Sequence, residues 1–207
     1  MKIITISREF GSGGRELGKR LSDALNVPCY DDEIIELIAE RQGLSKEYVA
    51  RMSERDMRNL YPSTIGRRFT GFPLHGQAIT QQIIQITAEQ HNVIRELAGK
   101  GDCVVVGRCA DVILHTLNPL NLFVYASQES KLARCKSRAT EDEHYTDREI
   151  VQMMRRIDKE RAAYREVIAD SEWGHKETYH LCINTSDKEI KKLVPGLAAY
   201  VKCWFGE

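Results

Sequence analysis

Glycines and cationic side chains with chemistry to offer gather at a few places in this chain. The densest is Ser7-Arg8-Glu9-Phe10-Gly11-Ser12-Gly13-Gly14-Arg15-Glu16, with three glycines in four positions. Glycine lets the backbone curl until successive N–H groups face one anion, and a helix starting just beyond adds the positive end of its dipole. Arg8 and Arg15 bring full charges to the same turn. This is phosphate-binding chemistry, and Arg8, Gly11, Ser12, Gly13, Gly14, Arg15 and Glu16 are the candidate residues. A plain glycine turn between a strand and a tightly packed helix would use the same glycines. The basic residues and the helical spacing of Leu17, Leu21 and Leu25 favour phosphate.

A second concentration follows the apolar run 103–107, in Gly107-Arg108-Cys109-Ala110-Asp111. Ligands of open α/β sheets bind beyond the carboxyl ends of parallel strands. Arg108 is therefore expected to bind a ligand rather than form a surface ion pair, with Asp111 orienting it. Asp31, at the end of the run 27–30, has the same kind of position and also stands where it would cap the next helix. For Asp32 and Glu33, complementing that helix's dipole is the simpler role. A third group lies on one helix carrying Arg155, Arg156, Asp158, Lys159, Arg161 and Arg165. Asp158 can pair with neighbours three or four residues on, but positive charge is in excess, as suits a flap closing over phosphate. Arg67 and Arg68 could grip an anion or simply be solvated. Gln81, Gln82, Gln85 and Gln90 line another helix, where surface exposure is the default.

The elements that must position these groups alternate. Apolar, β-branched runs at 2–7, 27–30, 103–107, 122–126 and 180–184 predict five parallel strands, separated by helical patterns. Ser45 and Ser127 are helix caps, and Thr146 with Glu149 forms a capping box. A long helix over 77–98 ends at Gly99 and Gly101. The last helix, from Asp187, should kink or divide at Pro195. The stretch 42–76 is irregular, and so long a connection in a compact domain is functional or mobile.

Composition removes several function classes. The 207 residues suit one α/β domain, and 30 basic against 30 acidic residues leave no net charge to favour nucleic acid. No apolar run could span a bilayer, so no membrane partner is expected. None of the six cysteines forms a C-x-x-C pair, and no nucleophile elbow or H-E-x-x-H occurs. Cysteines scattered in apolar runs, with no secretory signal, fit a reducing cytoplasmic compartment.

Taken together, the chain resembles the cytidylate-kinase-like family of P-loop nucleoside monophosphate kinases. The resemblance rests on the glycine loop, Tyr30-Asp31, Val106-Gly107-Arg108-Cys109-Ala110-Asp111, Asp158-Lys159-Glu160-Arg161 and Ile183-Asn184-Thr185-Ser186. It implies a three-layer α/β fold, a five-stranded parallel sheet with helices on both faces. The core would comprise 1–40, 100–138 and 176–207, with a nucleotide-binding insertion near 41–99 and a lid near 139–175. It further implies phosphoryl transfer from ATP with Mg2+ to a nucleotide, CMP or dCMP, with the oligomeric state left open. Arg108 matches the family's acceptor-binding arginine, with Cys109 in place of an aspartate. Asp158 and Arg161 match a lid Asp-x-x-Arg, and Arg155 or Arg156 stands nearest a further lid arginine. Asp31, Arg108, Asp111, Arg155 and Arg156 are thus the acceptor-binding candidates, and Arg15, Asp158 and Arg161 the catalytic ones. The loop lacks the G-x-x-x-x-G-K-[ST] lysine, a role Arg15 would take. Glu16 stands where a magnesium-binding hydroxyl belongs and is the candidate metal ligand, with Glu9 as an alternative. Two other readings stay open: a non-catalytic nucleotide sensor, and a kinase for another small acceptor.

Overall fold

The computed structural model describes residues 1–53, 74–139 and 145–206. In chain order the elements are β1 (Ile3–Arg8), α1 (Gly14–Leu25), β2 (Cys29–Tyr30), α2 (Asp32–Gln42), α3 (Lys46–Ser53), α4 (Leu74–Gly99), β3 (Cys103–Val106), α5 (Ala110–Ile113), β4 (Leu120–Tyr125), α6 (Gln128–Arg138), α7 (Asp147–Ile168), β5 (Leu181–Asn184) and α8 (Ile190–Trp204). All five strands pair in parallel, in the order β2-β3-β1-β4-β5.

Strand alternation divides the core into two layers. Ile4, Ile6, Val104, Val106, Leu122 and Val124 project to one face, where Leu17 and Leu21 of α1 and Val194 and Leu197 of α8 cover them. Ile3, Cys103 and Val105 project to the other, against α2, α4 and α5. With both faces buried, the strands carry continuous apolar runs rather than polar alternation. This is the three-layer α/β sandwich, and it brings the carboxyl ends of β1, β2 and β3 side by side.

Several expected helix signals have their predicted partners. Ser45 Oγ accepts from Tyr48 N at 3.2 Å, Ser127 Oγ accepts from Ser130 N, and Thr146 and Glu149 close a capping box. Others differ. Asp31 is the N-cap of α2, but its side chain makes no capping bond; it turns instead toward arginines of the loop. The last helix begins at Ile190 and runs undivided through Pro195. Pro195 is exposed and forfeits one internal bond, to the carbonyl of exposed Lys191. The expected insertion and lid each reach into the core. Ile86, Val93 and Ile94 of α4 and Tyr164 of α7 belong to the same buried cluster as α2. Arg67 and Arg68 lie outside the described residues.

Candidate active site

The glycine loop, 9–13, leaves β1 and enters α1 with Gly11 and Gly13 at φ +76° and +84°. At Gly13, on left-handed backbone, a Cβ would come 2.6 Å from Ile190 Cδ1, so conformation and space both favour glycine; at Gly14 a Cβ would come 2.5 Å from Arg8 Cβ, so space alone does. No side-chain hydrogen bond caps the start of α1. Ser12 is fully buried, and its hydroxyl donates to the Glu9 carbonyl at 2.8 Å. The Ser12 carbonyl accepts from Thr185 Oγ1 at 2.7 Å and from Arg134 Nη1 at 3.3 Å. Arg134 also donates to the Thr185 and Lys188 carbonyls, so this arginine ties the loop to the turn after β5. Lys131 of α6 donates to Glu9 Oε2 at 2.9 Å, holding the loop from its other side.

Beyond β3 the chain makes three successive left-handed residues, Gly107, Arg108 and Cys109, at φ +78°, +56° and +50°. Left-handed backbone costs a non-glycine residue about 1–2 kcal/mol, so Arg108 is held by a strained turn. Its Nη1 donates to Gln90 Oε1 at 3.1 Å, and Gln90 Nε2 donates to Tyr164 Oη at 3.0 Å. The Arg8 guanidinium crosses directly over Gly107, where a Cβ would stand 1.6 Å from Nη1.

Helix α7 joins the two sides. Asp158 accepts the Phe10 N–H at 2.7 Å. Arg161 donates to the Arg8 carbonyl at 3.0 Å and to Asp158 at 3.1 Å. Two cavities result. A cleft of about 460 Å³ runs along the loop, lined by Gly11, Gly13, Gly14 and Arg15, and also by Tyr145 and Met153. A smaller cavity of about 60 Å³ is lined by Gln90, Arg108, Glu160, Tyr164 and Trp173. Arg8 and Arg161 line both.

Residues 3–187 match the cytidylate kinase-like family. The chain belongs to that family. No curated protein matches it. Among solved structures it is similar to an uncharacterized protein from Eubacterium ventriosum, at 25% identity and a TM-score of 0.68 over 98% of this chain and 99% of that one. It is also similar in fold to shikimate kinase from Bacteroides thetaiotaomicron, at 13% identity and a TM-score of 0.57 over 100% and 99% of the two chains. Shikimate kinase from Acinetobacter baumannii gives 14% identity and a TM-score of 0.55 over 100% and 96%. Membership of a kinase-like family supports phosphoryl transfer and nucleotide binding in general.

Within this cytidylate kinase-like frame, the structure brings Arg8, Arg108, Asp158 and Arg161 together with the glycine loop and separates several other candidates from it. Glu16 does not fit the metal-ligand role, because Arg20 and Arg138 hold its two oxygens at 2.9 and 2.6 Å. Among the described residues no three His, Cys, Asp or Glu side chains converge as a metal site. Asp111 does not orient Arg108. Its Oδ2 takes Arg165 Nη1 at 2.6 Å, both side chains being almost wholly buried. Arg165 is thereby removed from any phosphate-covering role; it also donates to Ser171 and stacks over the Tyr179 ring. Arg155 and Arg156 are exposed, facing Gln128 and Glu160 respectively. Arg15 lines the cleft along the glycine loop but is ion-paired with Asp31 and Asp32 at 2.5 and 3.0 Å. Arg8 approaches the other Asp31 oxygen at 3.8 Å.

Burial sets the local electrostatics. It holds Asp158 above the usual carboxylate range despite the Phe10 N–H and Arg161. It pushes the Cys109 thiol up to about 12 and raises Tyr164 as well. Gln90, Lys131 and Arg134 are the residues that sequence reasoning undervalued. Gln90 is 2% exposed, and its place in the 3.6-residue rhythm with buried Ile83, Ile86, Val93 and Ile94 was the available signal.

Proposed function

We propose that this protein transfers the γ-phosphoryl group of ATP to a nucleoside monophosphate, with CMP or dCMP as the acceptor. The observation that carries this is the position of Arg8 and Arg161, which border both cavities. A donor phosphate in the cleft and an acceptor phosphate beside Arg108 would meet at these two cations.

Phosphoryl transfer needs positioning and charge neutralisation more than covalent chemistry by the protein. The N–H groups of Gly11, Gly13 and Gly14 and the open start of α1 would hold the donor phosphates. Phe10 and Ser12 donate their N–H groups to Asp158 and the Glu9 carbonyl, so their part is to shape the loop. An acceptor phosphate oxygen attacks the γ-phosphorus, the bond to the β-bridging oxygen breaks, and ADP leaves with that electron pair. Arg161 and Arg8 face the charge that spreads over the transferring group, and Arg108 grips the acceptor phosphate. Mg2+ bound with ATP would supply further charge neutralisation on the phosphates. Arg15 remains an outer contact to the donor until it leaves Asp31 and Asp32. Asp158 holds Arg161 and the loop in register.

The test is ADP production from ATP and Mg2+ with CMP, dCMP, UMP, AMP and GMP. Turnover with CMP or dCMP that falls about a thousandfold in both Arg108→Ala and Arg161→Ala supports the reading. Turnover untouched by either substitution sinks it. The volume of the acceptor-side cavity, about 60 Å³, favours a second reading, in which the acceptor is a smaller anionic metabolite. Nucleotide binding with no turnover on any acceptor would select a non-catalytic sensor.

A further inference from the structure

Gln90 is a polar side chain in the apolar interior of α4, and its hydrogen bonds run in one direction. Arginine has only donors, so the Gln90 oxygen must face Arg108, as its 3.1 Å contact requires. The Gln90 nitrogen then donates to the Tyr164 oxygen at 3.0 Å. The Tyr164 hydroxyl hydrogen is left for His91 Nε2, 3.1 Å away. That nitrogen accepts only in the neutral ring, and burial lowers the His91 pKa in agreement. Each link sets the polarity of the next, from the acceptor-side arginine to α7.

Tyr164 lies one turn beyond Arg161, on the helix that Asp158 and Arg161 fasten to the donor loop. Movement of α7 against the loop therefore changes the support of Arg108. Conversely, an anion that fixes Arg108 strengthens the position of α7. We propose that Gln90 is a positioning residue that orients Arg108 and, through Tyr164 and α7, couples acceptor binding to donor binding. The proposal rests on Arg108 as the acceptor contact.

The test is calorimetric titration of CMP into the full chain, with and without magnesium and the non-hydrolysable analogue AMP-PNP. In the wild type, AMP-PNP tightens CMP binding. Gln90→Leu should weaken CMP about ten- to a hundredfold, the range for losing a hydrogen bond to a charged group, and abolish the tightening. AMP-PNP affinity alone should stay within about twofold, since a lost coupling acts only when both ligands are present. Tyr164→Phe keeps the packing and should lose the tightening while keeping most of the CMP affinity. Unchanged CMP binding in Gln90→Leu overturns the proposal, as does equal loss of both ligands, which would mean general damage. If wild type binds no CMP, the cytidylate reading fails and inorganic phosphate replaces CMP in the same titrations. Phosphate binding lost in Gln90→Leu then supports the role of Gln90. Equal binding overturns it, and a wild type that binds neither ligand overturns both readings.

Discussion

Asp158 accepts the backbone N–H of Phe10 at 2.7 Å across 148 residues of chain, which fastens α7 to the glycine loop. Asp158→Ala leaves that N–H without its charged partner and releases Arg161. A loss of about 1.5–3 kcal/mol in urea denaturation is expected, with weaker ATP binding. The sign of the pH dependence follows from burial. The folded-state pKa is raised above the ordinary 3.8, so the stability this shift adds is fully present below 3.8 and is lost as pH rises through the raised value. Relative to Asp158→Asn, the wild type should lose stability as pH rises from the ordinary 3.8 through the raised value. A gain over that range would contradict the burial argument.

Gly107→Ala should damage the site more than the fold. The new Cβ would stand 1.6 Å from Arg8 Nη1, and the side chain that must yield borders both cavities. Left-handed backbone adds a stability cost of about 1–2 kcal/mol. Turnover should fall by about a hundredfold, as when one transition-state contact is lost, while thermal melting shifts only by a few degrees. Full activity would mean that Arg8 is not needed where it lies.

Asp111 and Arg165 are a buried pair with side chains 2% and 3% exposed. Removing one partner strands the other's charge, at a cost of about 3–5 kcal/mol. Asp111→Ala and Arg165→Met should each lower the urea midpoint strongly. The double substitution Asp111→Leu with Arg165→Met should recover most of the loss. Additive losses would show that the two do not act as a pair.

The cysteines offer a chemical check on burial. Cys109 is buried with its thiol pushed up to about 12, whereas Cys203 is exposed. Thiolate is the reactive form, so at pH 8 a thiol reagent should label Cys203 in the native protein and Cys109 only after unfolding. Mass spectrometry of digests would separate the two sites.

The sheet was legible because each strand is an apolar run bounded by turn residues, and Ser127 and Thr146 announce helices by local chemistry alone. The glycine loop and Arg108 were legible by position, at the ends of buried strands. What the sequence concealed depends on distant pairing. Asp111 sits three residues from Arg108 but pairs with Arg165, 54 residues away, and no local pattern reveals that choice. Glu16 lies in the loop's reading frame, yet Arg138 of α6 claims it. Gln90 resembled its glutamine neighbours until the packing of α4 showed which one faced inward.

The ties between Ser12 and both Thr185 and Arg134 bear on the order of synthesis. Ser12 is synthesised well before Thr185, the partner of its carbonyl, which follows 173 residues later. A nascent chain lacking β5 and the turn after it would carry the glycine loop without its brace. Nucleotide affinity in stalled chains of increasing length should therefore rise late, once Thr185 has emerged, making ligand binding a readout of finished assembly.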